Sequence, residues 1–432
     1  MELQYGLEDH LHPVKTMLYG LQWTAVILSS SVFKVLILAE AMGLSIGETQ
    51  AMMQRTFVFI GLASLVQTYL GHRIAVFETV AAFWLSTCLI ITTEGLATGE
   101  GISVIMGKIQ ALYIASGILI LLLTALGLTD RLKRLFSPLV MGVALMLVSI
   151  QVSGGLLTGM FRQVGDNEAS APLVLFSLGL LMVVLWVSFR GSLIQSIIGL
   201  VGIGGGWLVY TLMGLPVRTT ESMGIVMLPD FFALGIPIWD ASLFPLTFFT
   251  VSIYFCNATA AVRAGGEALH MDVTDAALRR SNYAGGVSHI MAAAFSSLAL
   301  VPAAMASGLT VTTGVGTRRS MVVGCIILGV LGLLGPVGGF FASIPPAVSY
   351  SVSLAIFAQL MAIGLLNCMR AAEKSHALAI IGASLLLGTG IMYLPLGIFV
   401  SFGFLSGILG NGLFMGVACA IFLENIAILP SS

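Results

Sequence analysis

Long apolar runs alternate with short polar breaks along the whole chain. A continuous apolar run of about 20 residues is what a helix needs to cross the hydrocarbon core of a bilayer. Reading the runs between charged or Pro/Gly breaks gives seven segments in the first half: Met17–Leu38, Met52–Leu70, Ile74–Thr92, Val104–Leu126, Pro138–Met160, Pro172–Phe189 and Leu193–Met213. A mixed link follows, Leu215–Ala241, with Pro216, Pro229 and Pro237 and the charges Arg218, Glu221, Asp230 and Asp240. The second half repeats the pattern with Leu243–Val262, Ser281–Leu300, Pro302–Thr313, Met321–Phe340, Ile344–Leu365, Ala377–Met392 and Ile398–Leu423. The pattern predicts an all-α polytopic membrane protein with 14 transmembrane segments. Because the runs are continuous rather than alternating, they do not fit an outer-membrane barrel.

Composition agrees. Of 432 residues 58% are hydrophobic and only 9% charged, with a mean hydropathy of +1.05. A soluble domain carries about 25% charge to wet its surface. The net charge of −1 and pI near 6.6 argue against nucleic-acid binding, which needs a basic face. Met1–Pro13 is polar, with Glu8, Asp9, His10 and His12, and does not read as a signal peptide. The five cysteines, Cys88, Cys256, Cys325, Cys368 and Cys419, have no CxxC spacing and read as small buried hydrophobes, not metal ligands.

Basic residues set the orientation. With a cytoplasmic N-terminus, one side receives Lys15, Arg73, Arg131, Lys133, Arg134, Arg190, Arg263, Arg279, Arg280, Arg318, Arg319, Arg370 and Lys374. The other side receives Arg55, Lys108, Arg162 and Arg218, a strong positive-inside bias that puts both termini in the cytoplasm of an inner-membrane protein. Seven spans is an odd number, so a second set of seven enters the membrane in the opposite sense. This predicts a 7+7 inverted repeat, residues 1–214 and 242–432 around a link at 215–241, an architecture typical of transporters.

The third segment of each half is broken. Gly71–Phe83 carries β-branched residues and a carboxylate where a lipid-facing helix would carry Leu. Pro302–Gly314 is too short to span as a helix, and its Thr/Val run favours extended backbone. Non-helical backbone at membrane depth must be buried in protein or line a cavity, so the pair points to a site between the halves.

Glu78 is the sharpest candidate: seven residues past Gly71, it lies in the apolar zone, poised to take a proton or to accept a substrate N–H. The bland alternative is a structural carboxylate held by Arg73 or Lys34. Lys34, within the first span, is expected to snorkel toward headgroups near Glu40 rather than pair internally. Asn257 and Gln22 offer amides suited to a heterocycle edge or to an interhelical hydrogen bond. His289 reads as a helix–helix hydrogen bond, Glu424 as interfacial, and the Gly202–Gly206 run as close helix packing. No metal cluster, nucleophile elbow or nucleotide fold appears, which disfavours an enzyme and any cofactor.

The chain resembles the nucleobase–ascorbate (nucleobase–cation symporter 2) family, in its divergent bacterial purine-permease branch. Gly20-Leu-Gln-Trp23 is similar to the family's first-span G-L-Q-H, and Arg73–Phe83 to its third-span R-L-P-V-V-Q-G-T-S-F. Asn257-Ala-Thr-Ala-Ala-Val-Arg263 falls on D-Y-Y-A-V-A-R, Gly308–Gly314 with Arg318 on the second half of the tenth-span motif, and Ser343–Val348 on S-I-P-x-P-V. The resemblance implies core and gate domains, short antiparallel strands in spans 3 and 10, a nucleobase bound between them, proton coupling and a homodimer. The family's binding glutamates are replaced: they fall on Ile253 and Met305, its later eighth-span Asp or His falls on Asn257, and its first-span His is Trp23.

The expected substrate site therefore centres on Glu78, which is also the proton-coupling candidate. Asn257, Gln22, Ala81, Ile253, Met305 and the backbone of Ser307 and Gly308 surround it, with Phe77, Phe83 or Phe255 stacking on the base. The expected function is a proton-coupled purine permease working by alternating access. Alternatives are an anion transporter of the same 7+7 fold, or a channel or scaffold that has lost its binding carboxylates.

Overall fold

The computed structural model describes residues 3–161, 170–190, 192–216, 224–241, 243–371, 376–395, 398–399, 402 and 406–428. Arg162, Arg218, Glu221 and Lys374 lie outside the described residues, as do the side chains of Lys133 and Arg134.

The first half runs α1 (Pro13–Ala41), α2 (Ile46–Tyr69), β1 (Glu78–Val80), α3 (Ala82–Ala97) and α4 (Ile102–Ala125). It continues with α5 (Thr129–Leu135), α6 (Pro138–Phe161), α7 (Ala171–Ser188) and α8 (Ser192–Leu212). The second half runs α9 (Leu243–Ala268), α10 (Asp275–Ala294), β2 (Leu300–Pro302), α11 (Met305–Thr313) and α12 (Arg318–Leu333). It ends with α13 (Gly335–Ala342), α14 (Pro346–Ala371), α15 (Ala377–Met392), α16 (Ser406–Leu409) and α17 (Gly412–Ile428). Six of these helices are long and apolar enough to cross a membrane: α1, α4, α6, α7, α9 and α14. Large apolar side chains such as Leu175, Met182, Phe189, Leu212 and Leu386 are exposed on the outside, as a lipid-facing surface requires.

Helix boundaries follow local chemistry. Pro13 opens α1, where its missing N–H costs nothing. Ser45 and Glu48 form a reciprocal capping box on α2. Thr274 caps α10 by accepting from the Ala277 N–H. The single span expected over Met321–Phe340 is instead split at Leu334, which is extended. Pro336 lacks an N–H to continue the ladder, and the Gly335 N–H donates to Ile225 of the link, so α13 starts afresh.

Small residues let the two halves pack closely. A side chain at Gly117 of α4 would strike the Gly286 carbonyl of α10, and one at Gly142 of α6 the Gly364 carbonyl of α14. In the Gly202–Gly206 run, Gly202 and Gly206 abut Val352 and Val348 of α14, whereas Gly204 and Gly205 have no close neighbours. Helices α1–α4 pack mainly with α9–α12, and α6–α8 mainly with α14, α15 and α17, while α1 also touches α8 and α14. The described part of the link lies across helix ends: Met227 N–H donates to Leu333, Phe232 N–H to Ala294 and Ile238 N–H to Gly107.

Candidate functional site

The two broken segments meet. β1 pairs antiparallel with β2 in the register Glu78–Pro302, Thr79–Val301 and Val80–Leu300. Extended backbone in the second segment therefore lies upstream of the Thr/Val run. That run is helical, because tertiary pairing selects Leu300–Pro302 and the threonine hydroxyls bond back to the preceding turn, Thr312 to Gly308 and Thr313 to Leu309. α3 and α11 begin just beyond the strands, at Ala82 and Met305, with no side-chain cap at either N-cap residue, Ala81 or Ala304. Arg318 ties the outer ends of the segments: its Nη2 donates to the Arg73 carbonyl at 2.8 Å and to Glu8 at 2.7 Å.

Side chains alternate across β1. Thr79 faces α1, where its hydroxyl lies 2.9 Å from Ser30 Oγ and 3.1 Å from Ser31 Oγ. Glu78 is 1% exposed and faces inward. Its backbone N–H donates to Ser64 Oγ of α2 at 2.9 Å, and the Gln67 amide faces its carboxylate. Its Oε1 has no hydrogen-bond partner among the described residues. Tyr254 of α9 is close enough for the carboxylate's charge to act on its hydroxyl. Glycine at 285 lets that hydroxyl lie against α10, since any Cβ there would overlap it.

Neither expected partner pairs with Glu78. Arg73 is exposed, sits at φ 64° and bonds to Tyr69 through Nε. Lys34 does not snorkel: it is buried, and its Nζ donates to the Val80 carbonyl at 2.5 Å. The unpaired carbonyl edge of β1 competes better for the ammonium than distant headgroups do. His289 is a helix-to-helix link as expected. Its Nε2 accepts from Trp84 Nε1 at 2.9 Å, so Nδ1 carries the proton toward the Gly285 carbonyl, 2.7 Å away. Glu424 is buried and accepts from Ser137, the residue just before α6.

Ile253, Asn257, Ala264 and Ala268 share one face of α9 at helical spacing. Ala264 and Ala268 line a cavity of about 630 Å³ together with Ser307, Gly308, Val311 and Thr312 of α11, with exposed Glu267 at its rim. Asn257 is half-buried and donates to Ile253 within its own helix rather than across helices. Tyr254, and with it Glu78, lies about a quarter-turn round α9 from that face. Thus the cleft lies between Ser307 and Gly308 of α11 and Ala264 and Ala268 of α9, about two turns along α9 from Asn257, which does not line it, and Glu78 is buried in the protein interior.

The remaining candidates sort by burial. Phe77 and Phe255 are fully buried, engaged edge-on with Trp23 and Tyr254, and Phe83 leans on Trp84, so none presents an open ring face. Ala81 is buried and bonds to Ala299 across the strands. Met305 is half-buried at the start of α11. The Ser307 N–H is already used by the Ala304 carbonyl, which also accepts from its hydroxyl. Gln22 is half-buried on α1, next to Trp23. Sequence reasoning missed Ser64, Gln67 and Tyr254; the only signal available was the polar spacing of Ser64 and Gln67 within an apolar helix. A separate cleft of about 160 Å³ holds Glu94, Glu100, Lys108 and Asp240, with Lys108 paired to Glu100 at 2.6 Å.

A family model described as "Permease family" matches residues 14–397. YwdJ of Bacillus subtilis (strain 168), a purine permease by name, is 26% identical over 94% of this chain and 95% of its own. The xanthine permease XanP of Escherichia coli (strain K12) is 24% identical over 98% of this chain and 94% of its own. Among solved structures, the transmembrane domain of the cyanobacterial bicarbonate transporter BicA shares the fold, with a TM-score of 0.59 at 14% identity over 99% of this chain and 100% of that one.

Proposed function

Because the chain belongs to the permease family, we propose that it is a secondary transporter carrying a nucleobase, a purine, across the cytoplasmic membrane. The observation that carries this reading is the pairing of β1 with β2, flanked by α3 and α11 that start just beyond them. Discontinuous segments meeting between halves are how transporter folds build a binding site. In this reading residues 1–214 and 242–432 are inverted seven-span repeats around the link 215–241. Both termini are cytoplasmic, and the protein works as a homodimer.

Helices α1–α4 and α9–α12 form the core domain, and α6–α8 with α14, α15 and α17 form the gate that rocks against it. The base sits where Ala81, Met305, Ser307 and Gly308 adjoin the Ile253–Asn257 face of α9, with Gln22, Phe77 and Phe255 supporting its walls. Glu78 exchanges the coupled proton from beside the strand, since its carboxylate has an oxygen free of partners among the described residues.

The test is uptake of labelled xanthine, uric acid and hypoxanthine into cells lacking their own purine permeases. Bicarbonate and sulfate serve as controls. Saturable uptake of a base, competed by other purines, is expected. Uptake of inorganic anions without any base would overturn the proposal.

A further inference from the structure

β1 is three residues long and is paired on one side only. On its other edge the N–H and C=O groups of Glu78 and Val80 point away from β2, among them the Glu78 N–H and the Val80 carbonyl. Such groups cannot be left bare at membrane depth, where no water stands in as a partner. Ser64 of α2 accepts from the first and Lys34 of α1 donates to the second. Lys34 is 8% exposed, and among the described residues its Nζ also lies 5.4 Å from the Phe33 ring centroid. Among the described residues no carboxylate lies within ion-pair distance of it. An ammonium is an expensive group to bury for one carbonyl, so its place calls for an explanation beyond filling space.

Two further observations give that place meaning. Val80 immediately precedes Ala81, the N-cap residue of α3, which has no side-chain cap of its own. The position of the first turn of α3 is therefore set by where the strand ends. One turn before Lys34, α1 is also fixed to α8: Ser29 Oγ accepts from the Leu200 N–H at 3.3 Å, and Gly199 packs on the Ser29 carbonyl. The stretch Ser29–Lys34 thus joins the strand pair to a helix of the second packing group.

We infer that Lys34 is a positioning residue for the transported base: by holding the Val80 carbonyl it fixes the strand-to-helix junction whose first α3 turn the base meets. It acts through the backbone and does not touch the base. The inference rests on the base-transport reading above.

The test compares wild type with Lys34→Met and Lys34→Arg in the same uptake assay. Folded yield is followed by size-exclusion of the detergent-solubilised protein. Lys34→Met, which keeps the volume and loses the donor, should raise KM for the base about tenfold with Vmax held within about twofold. Lys34→Arg, which keeps a donor, should bring KM back to within about threefold of wild type. If Lys34→Met does not fold, Lys34→Gln replaces it; its amide is on a shorter stem and falls short of the Val80 carbonyl, so KM should rise at least about threefold. An unchanged KM in the folded variant, or a loss confined to Vmax, overturns the role of Lys34. A wild-type protein that takes up no base removes the transport reading and this inference with it, whereas base uptake with an unmoved KM removes only the inference.

Discussion

Replacing Glu78 with glutamine keeps the side chain's length and volume and removes its ability to release a proton. The fold should tolerate the change, because Oε1 has no hydrogen-bond partner to lose and the Gln67 amide can face an amide as well as a carboxylate. At most one hydrogen bond is exchanged, about 0.5–1.5 kcal/mol. Transport should respond far more. If one proton accompanies each neutral base, every pH unit across the membrane supplies ~1.4 kcal/mol, enough for about tenfold accumulation. Proteoliposomes buffered about two units above the outside should then concentrate a labelled purine up to about 100-fold with wild-type protein. The Glu78→Gln protein should let the label equilibrate and stop near equal concentrations inside and out, and a protonophore should bring wild type to the same level. Accumulation by the variant equal to wild type would refute the assignment of the coupled proton to Glu78.

Three other substitutions examine the frame around that carboxylate. Ser64→Ala strips the acceptor from the buried Glu78 N–H and should cost about 1–3 kcal/mol, read as a lower apparent melting temperature in detergent; an unchanged melting curve counts against the edge contact. Gly308→Trp should fill the cleft between α9 and α11 and cut uptake at least about tenfold at normal folded yield, whereas Gly308→Ala should leave uptake within about twofold, since a Cβ there meets nothing within 4 Å. Gly142→Val places a Cβ 2.6 Å from Cys368 Sγ and 2.7 Å from the Gly364 carbonyl, so α6 and α14 must separate at a cost of about 1–3 kcal/mol; the readout is the monodisperse fraction after solubilisation.

The parts of this fold legible in the sequence are those where a residue's chemistry is at odds with lipid. A carboxylate at Glu78 and a prolyl break at Pro302 marked the two interrupted segments, and the strands pair there. What the pattern could not supply is which backbone groups those strands leave open. The Thr/Val run after Gly308 has β-favouring residues and is nevertheless helical. An extended segment needs a partner edge, and β1 offers one only to Leu300–Pro302. Lys34 is the same lesson from the opposite side. A carboxylate or aromatic partner would have left a residue type to search for, but its acceptor is the main-chain oxygen of Val80, 46 residues away, and every residue has such an oxygen. Glu78 falls between these cases. Its burial follows from position, but alternation along β1 defines two faces without saying which helix covers each. Only the contacts with Gln67 and Tyr254 show that the carboxylate faces α2 and α9. The strand that carries it is held on its open edge by Ser64 and Lys34. If the base is carried as proposed, proton exchange at Glu78 and base binding at the first turn of α3 share one short piece of backbone, so substitutions at its two anchors, Ser64 and Lys34, should change base affinity.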